Sequence, residues 1–424
     1  MLDEVRYWLS GFYPHMWLAS FAGVLLLDAP RYVFSKVLLL SIDALRALFG
    51  AIPTRPTPYY PSVCAVISCL NEGETIHQTL RSIHGSYPRL RIIVVDDGST
   101  DETYALASAF AESHPEVTVI RRPVRGGKSS AINLALNYSD DEIVLTLDSD
   151  SEFGKDAIFN IVQPFGDAKV GAVSGSILVR NPYDSICTML QAYEYLNSIL
   201  VGRIFSSRIG MLSIASGAFA AFRRVAVDAG YGWDAGPGED ADITIRLRKS
   251  GWKVRFEPSA ECFTNAPIRF RQLFKQRLRW DRSLVRYNIR KHRDISDVFS
   301  SHFRFTSFLH WLDIMFFNIL CTIGLWLYIA GLLFFAGHGS TVSVLIMVFV
   351  VYAALGAVQT LTIAFYSHNP RRDLQACLVF PIYVLYAAFL RVARTYAVID
   401  ELLNRSSFRD NYVPKYVRDA TIHW

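Results

Sequence analysis

Glu142–Ser151 is an apolar, β-branched run that ends in two carboxylates, Asp148 and Asp150. Residues two apart on an extended chain point to the same side. Carboxylates converging at a strand end suit a hard divalent cation such as Mg2+ or Mn2+, which takes oxygen ligands and bridges protein carboxylates to a substrate diphosphate. Taken alone, the pair fits a solvated loop equally well, so its neighbours carry the argument. Arg125-Gly126-Gly127-Lys128-Ser129-Ser130 runs into Asn133. Glycines before a helix let the backbone approach an anion at the helix N-terminus. Arg122 stands where a Walker A loop requires glycine. Lys128 is therefore a candidate diphosphate contact outside the P-loop class, or else an ordinary basic helix start. In Asp96-Asp97-Gly98-Ser99-Thr100-Asp101, Ser99 can cap the next helix with Glu102 as its box partner. That leaves Asp96 and Asp97 unexplained, and a carboxylate there could accept the N3–H of a uracil ring. Asn71-Glu72 completes the polar set.

These motifs need elements that hold them together. Apolar runs at Val63–Ser68, Ile92–Val95, Val117–Ile120 and Ile143–Leu147 predict strands, separated by helices near Glu74–His84, Asp101–Ser113 and Lys128–Tyr138. Strands alternating with helices imply a parallel sheet with both faces covered. In such sheets ligands bind beyond the carboxyl ends of the strands, which is where every one of these motifs falls.

The apolar residues, 51% of the 424, are unevenly spread. Trp8–Leu27 is long and apolar enough to cross a bilayer, and no small-residue cleavage site follows it, so it is not read as a signal peptide. Tyr32–Ile52 reads either as a second span or as an amphipathic helix on the membrane face, with Lys36, Asp43 and Gly50 on one side. Pro53–Pro61 is a linker. Phe305–Phe335 reads as an interfacial helix followed by a span, and Thr341–Phe365 as another span. Leu374–Leu390, with Pro381, reads as a re-entrant or interfacial segment that keeps the basic tail in the cytoplasm with Arg371-Arg372. The six cysteines show no CxxC spacing and read as reduced. The formal charge of +5 does not argue for nucleic acid.

In their order, Asn71-Glu72, the Asp-Asp-Gly-Ser, the Gly-Lys…Asn and the Asp-Ser-Asp resemble the family 2 glycosyltransferases of GT-A fold. The resemblance continues in Ser216-Gly217-Ala218, similar to an acceptor-region loop, and in Gly238-Glu239-Asp240, similar to a catalytic-base motif. Gln276-Arg277-Leu278-Arg279-Trp280 resembles the Gln-x-x-Arg-Trp signature of the processive, membrane-embedded branch. That branch includes hyaluronan, chitin, cellulose and poly-N-acetylglucosamine synthases. Where hyaluronan and chitin-type enzymes tend to carry Cys-Gly-Pro, Ser216-Gly217-Ala218 looks closer to the poly-N-acetylglucosamine synthases.

The resemblance implies a Rossmann-like α/β GT-A domain in the cytoplasm, flanked by transmembrane and interfacial helices. It implies Asp240 as base, with Glu239 the near alternative. Asn71, Glu72, Asp96, Asp97, Lys128, Asp148, Gln276 and Arg279 would face the nucleotide sugar. Trp280, Ser216 and Gly217 would face the acceptor, and Asp148 and Asp150 the Mg2+ or Mn2+. If the segment from Phe270 is helical, Gln276, Arg279 and Trp280 share one face. The many cations of residues 269–293 also fit a basic helix on an anionic membrane surface. Gln191–Tyr195 would lie near the acceptor, although Glu194 and Tyr195 could equally be structural. The expected division is a membrane region over 1–57, the catalytic domain over 58–300, a membrane region over 301–395 and a basic tail over 396–424. The expected activity is inverting polymerisation of a β-linked polysaccharide from UDP-N-acetylglucosamine at a bacterial inner membrane, with translocation of the product and an export or regulatory subunit as further expectations. Rivals are a UDP-glucose-dependent glucan synthase, an enzyme glycosylating a lipid acceptor, and an inactive homologue serving as an export scaffold.

Overall fold

The computed structural model describes residues 34–49, 57–234, 236, 238–331, 333–334, 337–410 and 413–420. Trp8–Leu27 and residues 53–56 of the Pro53–Pro61 linker lie outside them. The chain forms two compact units. One takes the described residues of Arg55–Trp311 and Ala397–Trp424, the other those of Met1–Thr54 and Leu312–Tyr396.

The first unit is built on an eight-stranded sheet of order β3-β2-β1-β4-β7-β6-β8-β5. Its strands are β1 (Val63–Cys69), β2 (Leu90–Asp96), β3 (Val117–Arg121), β4 (Ile143–Asp148), β5 (Glu152–Phe153), β6 (Val170–Val179), β7 (Phe219–Arg223) and β8 (Lys253–Thr264). The four strands expected from the sequence are parallel. Their crossover helices are α1 (Ile76–Ile83), α2 (Thr103–Glu112) and α3 (Lys128–Leu136). The β-branched stretches of β1, β2 and β4 are buried because helices cover both faces, whereas the edge strand β3 is only partly buried. Ile67, Ile92, Leu145 and Leu80 are fully buried in one core. Beyond β4 the sheet turns mixed: β7 pairs antiparallel to β4 and β6, and β6 pairs parallel to β8. This half was not foreseen, because its pairings join strands far apart in sequence.

Three helices frame the site from this half: α4 (Ile186–Tyr195), α5 (Glu239–Lys249) and α6 (Phe270–Val285). α5 carries Glu239, Asp240 and Asp242 in its first turn and Arg246, Arg248 and Lys249 in its last, matching the helix dipole at both ends. The expected Ser99–Glu102 capping box does not form. Ser99 Oγ instead accepts from Asn71 N, and Asp101 Oδ1 accepts from Thr103 N. All six cysteines are free thiols.

In the other unit, Ser35–Leu48 is helical within the stretch read as a span or amphipathic helix, and Tyr366 donates to Asp43 Oδ2 at 2.6 Å. Phe305–Gly331, Val344–Tyr366 and Pro370–Asn404 are helical stretches long and apolar enough to cross a membrane; the first begins, and the last ends, in the first unit. Pro381 lies inside a 3-10 segment, Cys377–Ile382, that breaks the regular helix before Tyr383–Asn404.

Candidate active site

The C-terminal ends of β1, β2 and β4 bring the first motifs together. Asn71 adopts a left-handed conformation (φ 58°), which asparagine tolerates better than most residues. Its Oδ1 accepts from Thr100 N at 2.9 Å, tying the β1 end to the β2 loop. Asp97 accepts from Gly126 N at 2.8 Å and from Gly127 N at 2.6 Å, with Arg122 at 3.3 Å. Both its oxygens thus brace the glycine turn that opens α3, where Gly127 has φ 85°. Asp96 Oδ1 takes Ser99 N, while its buried Oδ2 accepts no hydrogen bond and lies 3.5 Å from Arg121 Nε. Of the two aspartates, Asp96 therefore keeps acceptor capacity and Asp97 is committed to the loop.

Lys128 is the hub. Its ammonium contacts Asp148 Oδ1, donates to Gly217 O at 3.1 Å and lies 3.9 Å from Glu239. Asp240 Oδ2 accepts from Gly217 N at 3.1 Å. The Ser216–Gly217 turn is therefore gripped by Lys128 at its carbonyl and by Asp240 at its amide. Thr244 fixes α5 to the same turn, accepting from Ala215 N and donating to Asp240 O. Burial raises Glu239 to about 7; Lys128 opposes the shift and the Asp240 charge adds to it. A carboxyl that holds its proton to about 7 is poorly suited to act as the base below that pH.

Burial and then the Asp148 charge raise Asp150. Glu72 is raised by burial, with a Thr75 hydrogen bond pulling the other way and Asp150 and Asp148 adding to the rise. Among the described residues no three His, Cys, Asp or Glu form a metal-ligand cluster. The carboxylates of Asp148 and Asp150 would be the protein's own donors, and a cation there would relieve the effect of the Asp148 charge on Asp150. This donor set fits Mg2+ or Mn2+ whose remaining ligands are phosphate oxygens.

α6 is helical as expected, so Gln276, Arg279 and Trp280 share a face. Gln276 Oε1 is buried and accepts no hydrogen bond, and Trp280 is 40% exposed. The basic stretch is less a solvated face than its composition implied. Arg277, Arg282, Arg290 and Lys291 are ion-paired with Glu194, Asp400, Glu401 and Asp242. Burial alone would raise Asp242, but His292, Lys291 and Arg246 hold it well below the usual carboxylate range.

Two contributors were missed in the sequence. Ser174 on β6 accepts from Arg203 and from Ser216 N, bracing the Ser216–Gly217 turn. The tail returns to the glycine loop: Val413 lines a small cleft with Gly126–Ser129 and Glu239, and Tyr416 donates to Arg125 O. A run of basic residues carries no signal of either contact.

Residues 64–230 match the family model described as Glycosyl transferase family 2. That segment is thus similar to the glycosyltransferase family 2 domain. Over 219 residues it is 33% identical to the poly-beta-1,6-N-acetyl-D-glucosamine synthase of Staphylococcus epidermidis, covering 51% of this chain and 52% of that protein. It is 34% identical over 221 residues to the synthase of the same name from Staphylococcus aureus strain COL, again covering 51% and 52%. The chain thus spans about half the length of the curated relatives it matches. Among solved structures, the mannosyltransferase PcManGT of Pyrobaculum calidifontis, in complex with GDP-mannose and Mn2+, aligns with a TM-score of 0.60. The alignment covers 91% of this chain and 99% of that one at 24% identity. The first unit therefore has the GT-A fold, a Rossmann-like mixed sheet.

Proposed function

We propose that this protein is a membrane-embedded, inverting glycosyltransferase that polymerises a β-linked polysaccharide from UDP-N-acetylglucosamine. One juxtaposition carries the reading: Lys128 joins Asp148 to the Ser216–Gly217 turn, and that turn holds Asp240. A diphosphate-side carboxylate and a base-side carboxylate thus share one small turn, as a single displacement at an anomeric carbon requires.

In the proposed reaction Asp240 takes the proton of the acceptor hydroxyl as its oxygen bonds to the anomeric carbon. The bond from that carbon to the diphosphate breaks, and UDP leaves with the electron pair. Attack opposite an α-linked leaving group yields a β-linkage. A divalent cation, Mg2+ or Mn2+, at Asp148 and Asp150 would neutralise charge on the departing diphosphate. Lys128 would turn from Asp148 towards the phosphates, with Gln276 and Arg279 completing that side. Asp96 would accept from the uracil, while Asn71, Glu72 and Asp97 hold the pocket's shape. Ser216, Gly217 and Trp280 would orient the acceptor.

The donor is proposed from the activity for which the staphylococcal relatives are named, together with the closeness of Ser216-Gly217-Ala218 to that branch. The apolar helices support an integral membrane protein. Arg371 and Arg372, in the first turn of the helix that opens at Pro370, support a catalytic domain on the cytoplasmic side of a bacterial inner membrane. An export or regulatory subunit remains part of this proposal.

The test is UDP release by the detergent-solubilised full chain, with Mg2+ or Mn2+, against UDP-N-acetylglucosamine, UDP-glucose and UDP-glucuronate singly and in pairs. Turnover of UDP-N-acetylglucosamine alone, giving a chain product, is the expected result. A single sugar on a lipid, or turnover only with UDP-glucose, would replace this reading with a rival.

A further inference from the structure

Glu194 and Arg277 lie on different helices, 83 residues apart, yet form a two-pronged ion pair. Arg277 Nη1 donates to Glu194 Oε1 at 2.9 Å and Nη2 to Oε2 at 2.8 Å. Their side chains are only 12% and 10% exposed. The guanidinium carbon lies 4.5 Å from the centroid of the Trp280 indole, one helical turn further along α6. Such a pair is directional, because a planar fork matches a carboxylate in one plane only. A guanidinium fixed in plane is also a flat surface against which an aromatic ring can stack.

The pair is itself well supported. The N-terminus of α4 is closed by a Ser185–Thr188 capping box, and Gln191 donates to Pro267 O at 2.8 Å, just before α6 begins. Glu194 is in the last turn of α4, where a π-helical segment, Leu196–Val201, continues the helix. Its backbone carbonyl accepts from Ser198 Oγ at 2.7 Å. The carboxylate is thus placed by α4, the guanidinium by the carboxylate, and the indole by the guanidinium.

We propose that Glu194 and Arg277 are positioning residues that hold the Trp280 indole flat, so that its other face is presented to the acceptor sugar. This rests on the glycosyltransferase reading above. Arg277 occupies one face of the ring, so a pyranose can stack on the opposite face alone. The carboxylate offsets the guanidinium charge, so the free face stays suited to the weakly positive C–H groups of a sugar. Lysine at 277 would keep the charge but lose both the fork and the flat stack.

The experiment uses the full chain in detergent and two ligands, a β-linked N-acetylglucosamine trisaccharide and UDP. Trisaccharide binding is read from quenching of tryptophan fluorescence, with Trp280→Phe identifying the Trp280 share; UDP binding is read by calorimetry. For Arg277→Lys the trisaccharide Kd is expected to rise about tenfold while the UDP Kd changes less than twofold. Glu194→Gln is isosteric and keeps one acceptor for Arg277. It is expected to raise the trisaccharide Kd by about threefold, and it keeps the test open if Arg277→Lys does not fold. A trisaccharide Kd within twofold of wild type in both variants would overturn the proposal. So would a rise matched by an equal rise for UDP, which marks general damage. Failure of the glycosyltransferase reading shows separately, as wild-type protein that binds neither UDP nor UDP-N-acetylglucosamine.

Discussion

The two halves of the sheet solve the same problem differently. On the parallel side, polar side chains at the strand ends are tied mainly to backbone amides nearby: Asn71 to Thr100 N, Asp97 to Gly126 N and Gly127 N, Asp101 to Thr103 N. Where the mixed side takes over, charges meet charges across long stretches of chain: Lys128 with Glu239, Arg277 with Glu194, Lys291 with Asp242. Carboxylates that accept backbone amides build a fixed shape. Paired side chains can exchange partners when a charged substrate arrives. The first arrangement suits a pocket for an invariant nucleotide, the second a site where a diphosphate departs and an acceptor moves.

The comparison is broken most sharply at Asp240. Asp240→Asn removes the proposed base but leaves an oxygen that can accept from Gly217 N. UDP release is expected to fall by roughly 10³-fold, within the range general-base removal gives. The UDP Kd is expected to stay within threefold, as calorimetry would show. Loss of UDP binding would move Asp240 into the fixed-shape class. Asp97→Ala tests the opposite half. It leaves two buried amides, Gly126 N and Gly127 N, without their acceptor, at about 1–3 kcal/mol each. A lowered unfolding temperature together with weakened UDP binding is expected. Unchanged stability would show that the glycine turn does not need its brace.

Legibility followed the same division. Val63–Cys69, Leu90–Asp96 and Ile143–Asp148 were readable within a residue or two because a buried parallel strand is a short apolar run with a helix on either side. The motif residues converge because strand ends in such a sheet lie side by side. The Ser99 capping box was misread because Asn71, 28 residues earlier, competes for the same hydroxyl. Arg277 stood in plain view inside the Gln-x-x-Arg-Trp motif. Its partner could not be read, since nothing in local spacing links residue 277 to residue 194.

The Glu239–Lys128 contact sharpens the comparison through pH. Glu239 sits at about 7 against an ordinary 4.5. Between those values the folded chain holds a proton that the unfolded chain has released. Its contribution to stability is therefore full below about pH 4.5 and is lost as pH rises through about 7, a span on the order of 3 kcal/mol. Unfolding midpoints of wild type should fall across that window more steeply than those of Glu239→Gln. Parallel profiles would mean that Lys128 already holds Glu239 ionised.

The smallest effect is expected at the tail, where a distant segment touches the fixed half. Tyr416 donates to Arg125 O, Val413 lines the cleft beside Gly126–Ser129, and the segment is anchored upstream by the ion pair of Arg290 with the fully buried Glu401. Tyr416→Phe removes one partly exposed hydrogen bond, about 1 kcal/mol or less. The anchor remains, so the unfolding temperature should change little. Freed from Arg125, the segment should lie less often against the glycine loop, and UDP should dissociate about two- to fivefold faster in stopped-flow measurements. An unchanged dissociation rate would assign the tail's stability to Arg290 and Glu401 alone and leave the glycine loop to Asp97.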